Sequence, residues 1–362
     1  MKKWDIIENI EVEKLVLWGK WFAKLKSENP DLDWRTIFIT GWAIPGSIVN
    51  LRILKKRNNF FETQIVDIIK KSPLEKKHEN NPFWECWGCK WVNIPYENQL
   101  SIKEDQIKET FFNILKIQEF IDFKPIVPSQ VVDWYRNKVE FSYWKYISHK
   151  YDIAEHFNVW FHKQWEFSKI QDFDWCVLID DLQNKIYKEI KDFTKTLWLP
   201  VYDQMKQEGF FRHILIRRTH YADEIMLLLS FNPEYFELNT KLDKKEKLEL
   251  IKDFLLSLSE KYKNIKSIYF SHNPNKADVC IWDLELIYWE KTIKETLLDL
   301  TFNISPTSFF QTNSTWAQSL YSIVLDLANK DNLSDSTVLD LYGGTWTIWM
   351  IFAKAWAKKV FS

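Results

Sequence analysis

A chain of 362 residues, 46% apolar and 27% charged, has the balance of a folded globular protein and the length for two or three domains of roughly 150 residues each. It holds no apolar run near the roughly 18 residues that suggest a membrane helix, and its opening MKKWDIIENIEVEK turns acidic where a signal peptide needs an apolar core. The expectation is a cytoplasmic, monomeric protein; a net charge of −1 neither selects nor excludes nucleic acid, and four cysteines are too few for a secreted disulfide scaffold.

Residues 1–72 run in short apolar–polar alternations (DIIENIEV, FAKL, RTIFIT, SIVNLRIL, FFETQIVDIIK) separated by turn signals at Gly19, Gly41 and Pro45-Gly46. Five such strands predict a small β-barrel of the OB type. This stretch carries 13 Lys/Arg against 9 Asp/Glu, with a Lys55-Lys56-Arg57 cluster. That excess suits a phosphate-contacting surface and equally a solvated strand end. Residues 73–95 form a cysteine-bearing loop, and 96–120 have helical apolar spacing. Strand-like and helical runs then alternate to residue 300, so 96–300 is expected as a central α+β domain. From 301 a helix (TWAQSLYSIVLDLANK), a strand (STVLDLY), a turn (GGTWTIW), a second helix (MIFAKAWA) and KKVFS predict the opening of a doubly wound sheet. The whole reads as a multi-domain α/β protein.

Tryptophan occurs 20 times and glycine 7 times, where average usage of about 7% predicts roughly 25 glycines. Many tryptophans stand in turn-like contexts, LDLYGGTWTIWM, VLWGKWFAKL, FITGWAIPG and FWECWGCK. Such contexts ask for positive φ or close backbone approach, which glycine gives and tryptophan does not. Trp18, Trp21 and Trp42 are expected in loops between strands, and crowding is expected where Trp346 and Trp349 enter the Gly-rich turn. The expectation is that UGA codons read as glycine have been written as Trp, with Trp91 and Trp134, outside turn contexts, read as genuine.

The strongest site signal is VLDLYGGTWTIWM: a strand ending in an acid, then a Gly-rich turn into a helix, which makes a nucleotide-cofactor cradle. Together with ISPTSFFQTNSTWAQSLY upstream, it resembles the RNA uridine-5-methyltransferase family. The WGKWFAKL and TGWAIPGSIVNLRILKKR segments resemble that family's TRAM domain, an RNA-binding OB-like module. VVDWYRNKVEFSYW and FFRHILIRRTHYADEIMLLL resemble its central RNA-binding domain. The resemblance implies a TRAM barrel over 1–72, a cysteine loop over 73–95, a central domain over 96–300 and the start of an S-adenosylmethionine-binding Rossmann-like domain over 301–362. It implies Gln311 and Tyr342 as cofactor contacts, with Asn313, Asp340 and Thr347 close by. Phe309 and Phe310 are read as core aromatics.

Members of the family often bind a [4Fe–4S] cluster through C-x5-C-x2-C and a distant fourth cysteine. Cys86, Cys89 and Cys176 match three positions, but the first position is Asn80, with His78 nearby. A cluster, a zinc or vestigial site, and unligated thiols all stay open; Cys280 is read as a buried apolar residue. Arg136, Lys138, Arg212, Arg217 and Arg218, interleaved with aromatics, are either phosphate contacts or structural cations.

The family's chemistry adds a cysteine thiolate to carbon 6 of uracil, making carbon 5 nucleophilic towards the sulfonium methyl, after which a carboxylate removes the carbon-5 proton. The resemblance places that cysteine in an SCNP-like segment and the base near the C-terminus, both beyond Ser362. The chain is therefore expected to be truncated and inactive as it stands. Ribosomal RNA, 23S first, or transfer RNA is the expected partner. The alternative is an RNA-binding protein without catalysis.

Overall fold

In the computed structural model the described residues are 1–16, 20–27, 33–41, 43–76, 86–89, 91–116, 122–146, 156–163, 166–170, 173–238, 243–328, 335–341, 343, 347–355 and 357–361. Contacts divide the chain into one unit of Met1–Pro128 with Lys163–Glu166 and another of Ser129–His162 with Phe167–Ser362.

The first unit holds six strands: β1 (Ile6–Glu11), β2 (Lys14–Leu15), β3 (Trp21–Lys24), β4 (Thr36–Thr40), β5 (Ile48–Lys56) and β6 (Phe60–Lys70). They form one sheet in the order β1-β5-β6-β4-β3-β2, antiparallel except for the parallel β4–β6 pair. The sequence alternation becomes the core face. Ile37 and Ile39 of β4 and Val49, Leu51 and Ile53 of β5 are fully buried, together with Phe61. Two-residue β2 is the strand that a period-two reading misses. Trp21, expected in a loop, opens β3 with its indole buried and its Nε1 donating to the Gly41 carbonyl at 3.1 Å. Helix α1 (Tyr96–Glu109) is joined to this sheet. Gln106 donates to the Leu15 carbonyl at 2.8 Å, Lys14 pairs with Glu109 at 2.6 Å, and Ile102 packs on the core. The helix expected to open the central domain thus belongs with the N-terminal unit.

The second unit contains β7 (Lys138–Tyr146), β8 (His156–Trp160), α2 (Asp181–Thr196), β11 (Phe211–Arg218), β12 (Ile225–Phe231), α3 (Tyr235–Leu238), α4 (Lys244–Lys261), β13 (Ile265–His272) and β14 (Asp283–Trp289), while the short strands β9 (His162–Lys163) and β10 (Glu166–Ile170) each have residues in both units. Its main sheet runs β14-β13-β12-β11-β7-β8. The only parallel pair of that sheet, β12–β13, is the one whose connection carries α4, as a crossover requires. β12 is buried along its whole length and β11 nearly so, which explains their continuous apolar runs. Asp180 caps α2, accepting from the Leu182 and Gln183 amides.

The chain continues through β15 (Ile293–Leu297), β16 (Leu300–Ile304), α5 (Ser314–Leu327), β17 (Thr337–Leu339), α6 (Thr347–Lys354) and β18 (Lys359–Phe361). β17 and β18 pair in parallel with α6 between them, Val338 opposite Val360, which is the β-α-β opening read from the sequence. This segment does not stand apart: Phe302, Phe310, Tyr321 and Ile351 share one core with Leu215, Met226, Leu228 and Tyr269 of the main sheet. The expected boundary at residue 300 is therefore absent. Trp349 sits within α6, its Nε1 donating to the Val360 carbonyl at 3.1 Å; Trp346 lies outside the described residues. Trp134, read as genuine, holds φ 58° and is exposed.

Candidate functional site

The FFQTN segment leads into α5. Its last residue, Asn313, is the N-cap: the side-chain oxygen accepts from the Trp316 amide at 2.8 Å. That satisfies an orphan helix donor, so Asn313 is engaged in structure. Two residues earlier Gln311 is exposed, and its carbonyl accepts from Asn137 Nδ2 at 2.8 Å. Asn137 also donates from Nδ2 to Ser314 Oγ at 2.9 Å and from its amide to the Thr312 carbonyl at 2.8 Å. One buried asparagine thus fixes the backbone from 311 to 314.

Glu295 stands behind it. This carboxylate, fully buried on β15, accepts from Ser314 Oγ (2.6 Å) and from the amides of His220 (2.8 Å), Tyr221 (2.9 Å) and Thr296 (3.2 Å). A buried charge survives here because every lone pair is used. Upstream, buried Arg217 donates to the carbonyls of Ser305 and Ser308, each at 3.1 Å. Burial pulls its guanidinium down to about 10, with Glu140 acting in the opposite direction.

Gln311 and Thr347 meet at Tyr321. Burial raises the pKa of this hydroxyl, while its hydrogen bonds to Gln311 and Thr347 act the other way. Thr347 is the buried first residue of α6, so α5, the segment before it and the start of α6 converge on one phenol. Asp340 follows β17 directly; its amide donates to the Phe361 carbonyl at 2.7 Å, and its buried Oδ2 has no hydrogen-bond partner among the described residues. Tyr342 lies outside the described residues. The structure thus joins Gln311 and Thr347 and assigns Asn313 to a cap.

Asn137, Glu295, Ser314 and Tyr321 were not singled out from the sequence. Glu295 carried a signal: in IKETL it shares the inward face with Ile293 and Leu297, where an acid is out of pattern. Phe310 is buried as expected, whereas Phe309 is 69% exposed beside the site.

The phosphate reading fails for two arginines. Arg212 is buried, donating to the carbonyls of Asn273, Asn275 and Ala277 and lying 4.1 Å from the Tyr202 ring centroid; Arg217 is the buried clamp just described. Arg218 is paired with Asp180 and Asp223, each at 2.6 Å, Lys138 with Glu140 at 2.5 Å, and Arg136 Nε donates to the Lys138 carbonyl. Lys55, Lys56 and Arg57 stay exposed at the β5–β6 turn.

Cys86, Cys89 and Cys176 are buried and in no disulfide. The Cys89 amide donates to the Cys86 carbonyl (3.1 Å), and Cys176 is held by Asn184 through its amide and carbonyl. Among the described residues no group of three or more His, Cys, Asp or Glu side chains could hold a metal ion. Asn80 and His78 lie outside those residues. With three thiols the donor set does not fit a four-thiolate cluster, and no step below passes through one. Cys280 is the buried residue expected, its thiol pushed well up by burial.

With its mixed main sheet and the parallel β17-α6-β18 opening, the second unit has a mixed α/β fold. No family model matches the chain. It is 31% identical to an uncharacterized RNA methyltransferase of Fusobacterium nucleatum, over all of this chain and 71% of that protein. It is 34% identical to another of Clostridium tetani, over 88% of this chain and 65% of that one. The chain belongs to this family of RNA methyltransferases, and it spans about two thirds of the relatives' length. Its fold is similar to that of Pyrococcus abyssi tRNA (uracil-54, C5)-methyltransferase in complex with S-adenosyl-L-homocysteine, with a TM-score of 0.66, 22% identity, and coverage of 96% of this chain and 71% of that one. No described helix is long and apolar enough to cross a membrane.

Proposed function

We propose that the chain serves methylation of carbon 5 of a uridine in RNA, with S-adenosylmethionine as methyl donor and 23S rRNA as the first substrate to test, and that it works in the cytoplasm as a monomer. The observation that carries this reading is the parallel β17-α6-β18 opening that follows the FFQTN segment, with Asp340 placed directly after β17. Asp340 Oδ2, buried without a partner, is an acceptor suited to an amine or hydroxyl of the donor. When bound, S-adenosylmethionine supplies an electrophilic methyl group on a sulfonium. Gln311 offers both an amide donor and an acceptor, and Asn137 holds its backbone in place. Tyr342 would join them on the strength of the family resemblance. Lys55, Lys56 and Arg57 are proposed to contact phosphate as part of a TRAM-type RNA-binding barrel, and the target base is extruded so that its ring face can be reached.

A second reading, RNA binding without turnover, is favoured by the burial of all four cysteines; the Cys280 thiol is held neutral. None of them is proposed as the nucleophile. One experiment separates the readings: the protein is incubated with undermodified ribosomal or transfer RNA and radiolabelled S-adenosylmethionine. Retention of RNA on a filter with label at uridine carbon 5 supports the first. Retention without label supports the second, and retention of neither refutes both.

A further inference from the structure

Among the described residues, five tryptophans share a backbone conformation that tryptophan seldom adopts. Trp4 (φ 79°), Trp34 (58°), Trp134 (58°), Trp198 (55°) and Trp289 (46°) lie in the left-handed region, where the Cβ of an L-residue crowds the following carbonyl. Only a few per cent of non-glycine residues go there, chiefly Asn and Asp. Gly41, Gly46 and Gly209 of the same chain hold positive φ too.

The side chains give little reason for the backbone to accept this: Lys3 Nζ lies 4.5 Å from the Trp4 ring centroid and Lys266 Nζ 5.0 Å from that of Trp289, exposed contacts that are individually weak. All five are more than half exposed, from 57% at Trp134 to 93% at Trp198. An indole stabilises a fold through the area it buries, and these indoles lie largely in water. What the fold uses at these positions is the main chain. The Trp4 amide donates to the Ile53 carbonyl at 2.8 Å, the Trp34 amide to Leu25 at 2.6 Å and the Trp134 amide to Val177 at 3.0 Å. Trp198 directly follows Leu197, the right-handed C-cap of α2. That left-handed position after a C-cap is the one glycine fills by default. Trp289 ends β14, where the chain turns towards β15. By contrast, Trp91 is absent from the positive-φ set and packs partly buried on the core of the first unit.

We infer that the polypeptide made in its source cell carries glycine at positions 4, 34, 134, 198 and 289 and tryptophan at 91, the codon at the five positions being UGA read there as glycine. The inference is independent of the methyltransferase reading, because it rests on backbone conformation and exposure at these five positions and on no property of the site. It differs from the composition argument in naming positions, and it reverses the sequence reading at Trp134.

Two measurements test it. Peptide mass spectrometry of the protein isolated from its source cells should show glycine at all five positions and tryptophan at 91. Tryptophan at the five overturns the inference. Independently, the chain as written and a variant with the five Trp→Gly changes are purified from one host and melted. Relief of left-handed strain should raise the melting temperature by about 2–4 °C per position, while Trp91→Gly should lower it. A five-position variant that melts no higher than the chain as written also overturns it.

Discussion

Replacing Glu295 by glutamine tests whether the backbone at residues 220–221 and the Ser314 hydroxyl rest on a buried carboxylate. Its two oxygens accept four hydrogen bonds, three from backbone amides and one from Ser314. Glutamine keeps the shape but has one accepting oxygen, and its amide nitrogen must face a backbone N–H in either orientation. A stranded buried donor costs about 1–3 kcal/mol, and losing the charge weakens the remaining bonds by about another 1 kcal/mol. Glu295→Gln should therefore destabilise the second unit by about 2–4 kcal/mol. Urea denaturation followed by circular dichroism reads the sum. Amide exchange at His220 and Tyr221 reads the site, and both amides should exchange faster. The control is Glu285→Gln, where an exposed carboxylate pairs with His272 at 2.8 Å, a contact worth at most about 1 kcal/mol. A Glu295→Gln protein within about 0.5 kcal/mol of the original, the range of an ordinary surface change, refutes the reasoning.

Tyr321→Phe removes the hydroxyl shared by Gln311 and Thr347; calorimetry with S-adenosylhomocysteine should show weaker binding, at a stability cost of about 1 kcal/mol, and unchanged affinity would remove Tyr321 from the site. Burial alone would raise the Asp278 carboxyl, but its contacts with His213 (3.1 Å) and His162 (3.5 Å) outweigh that and hold it well below the ordinary range. Because the folded value lies below the unfolded one, its contribution is present above about pH 4 and lost as pH falls through the folded value. Asp278→Asn should accordingly flatten the acid side of the stability profile, and an unchanged acid slope counts against the ion pairs. Protein purified anaerobically should lack the four irons and four sulfides of a cluster; finding them, and losing them on Cys86→Ala, would show that a non-thiolate fourth ligand suffices.

Local order was legible because it follows from period and chemistry. The alternation in RTIFIT and SIVNLRIL becomes the inward Ile37, Ile39, Val49, Leu51 and Ile53. The continuous apolar run of β12 becomes a strand buried along its length. The partition into domains was not legible, because it depends on which surface a helix finds. α1 has no buried residue of its own, and Gln106 and Glu109, polar residues that could face anywhere, tie it to β2. The arginines fail for the same reason. Arg212 and Arg217 resemble phosphate ligands in sequence, and only the carbonyls of residues 273–277 and 305–308, brought together by folding, make them structural.

The site residues themselves divide along that line. A motif such as FFQTN compresses two kinds of requirement into adjacent letters. Asn313 answers the helix, which needs an acceptor for its first amides. Gln311 answers whatever the site binds: its backbone is pinned by Asn137, and its side chain stands at the surface, in reach of Tyr321. Pinning matters, because a side chain that must meet a ligand loses less freedom on binding when its main chain is already fixed. The chain from Glu295 through Ser314 and Asn137 to Gln311 thus fixes the main chain of residues 311–314 with buried hydrogen bonds. The same bonds flank Asn313 at Thr312 and Ser314, so one buried network fixes both the cap of α5 and the backbone from which the Gln311 side chain projects.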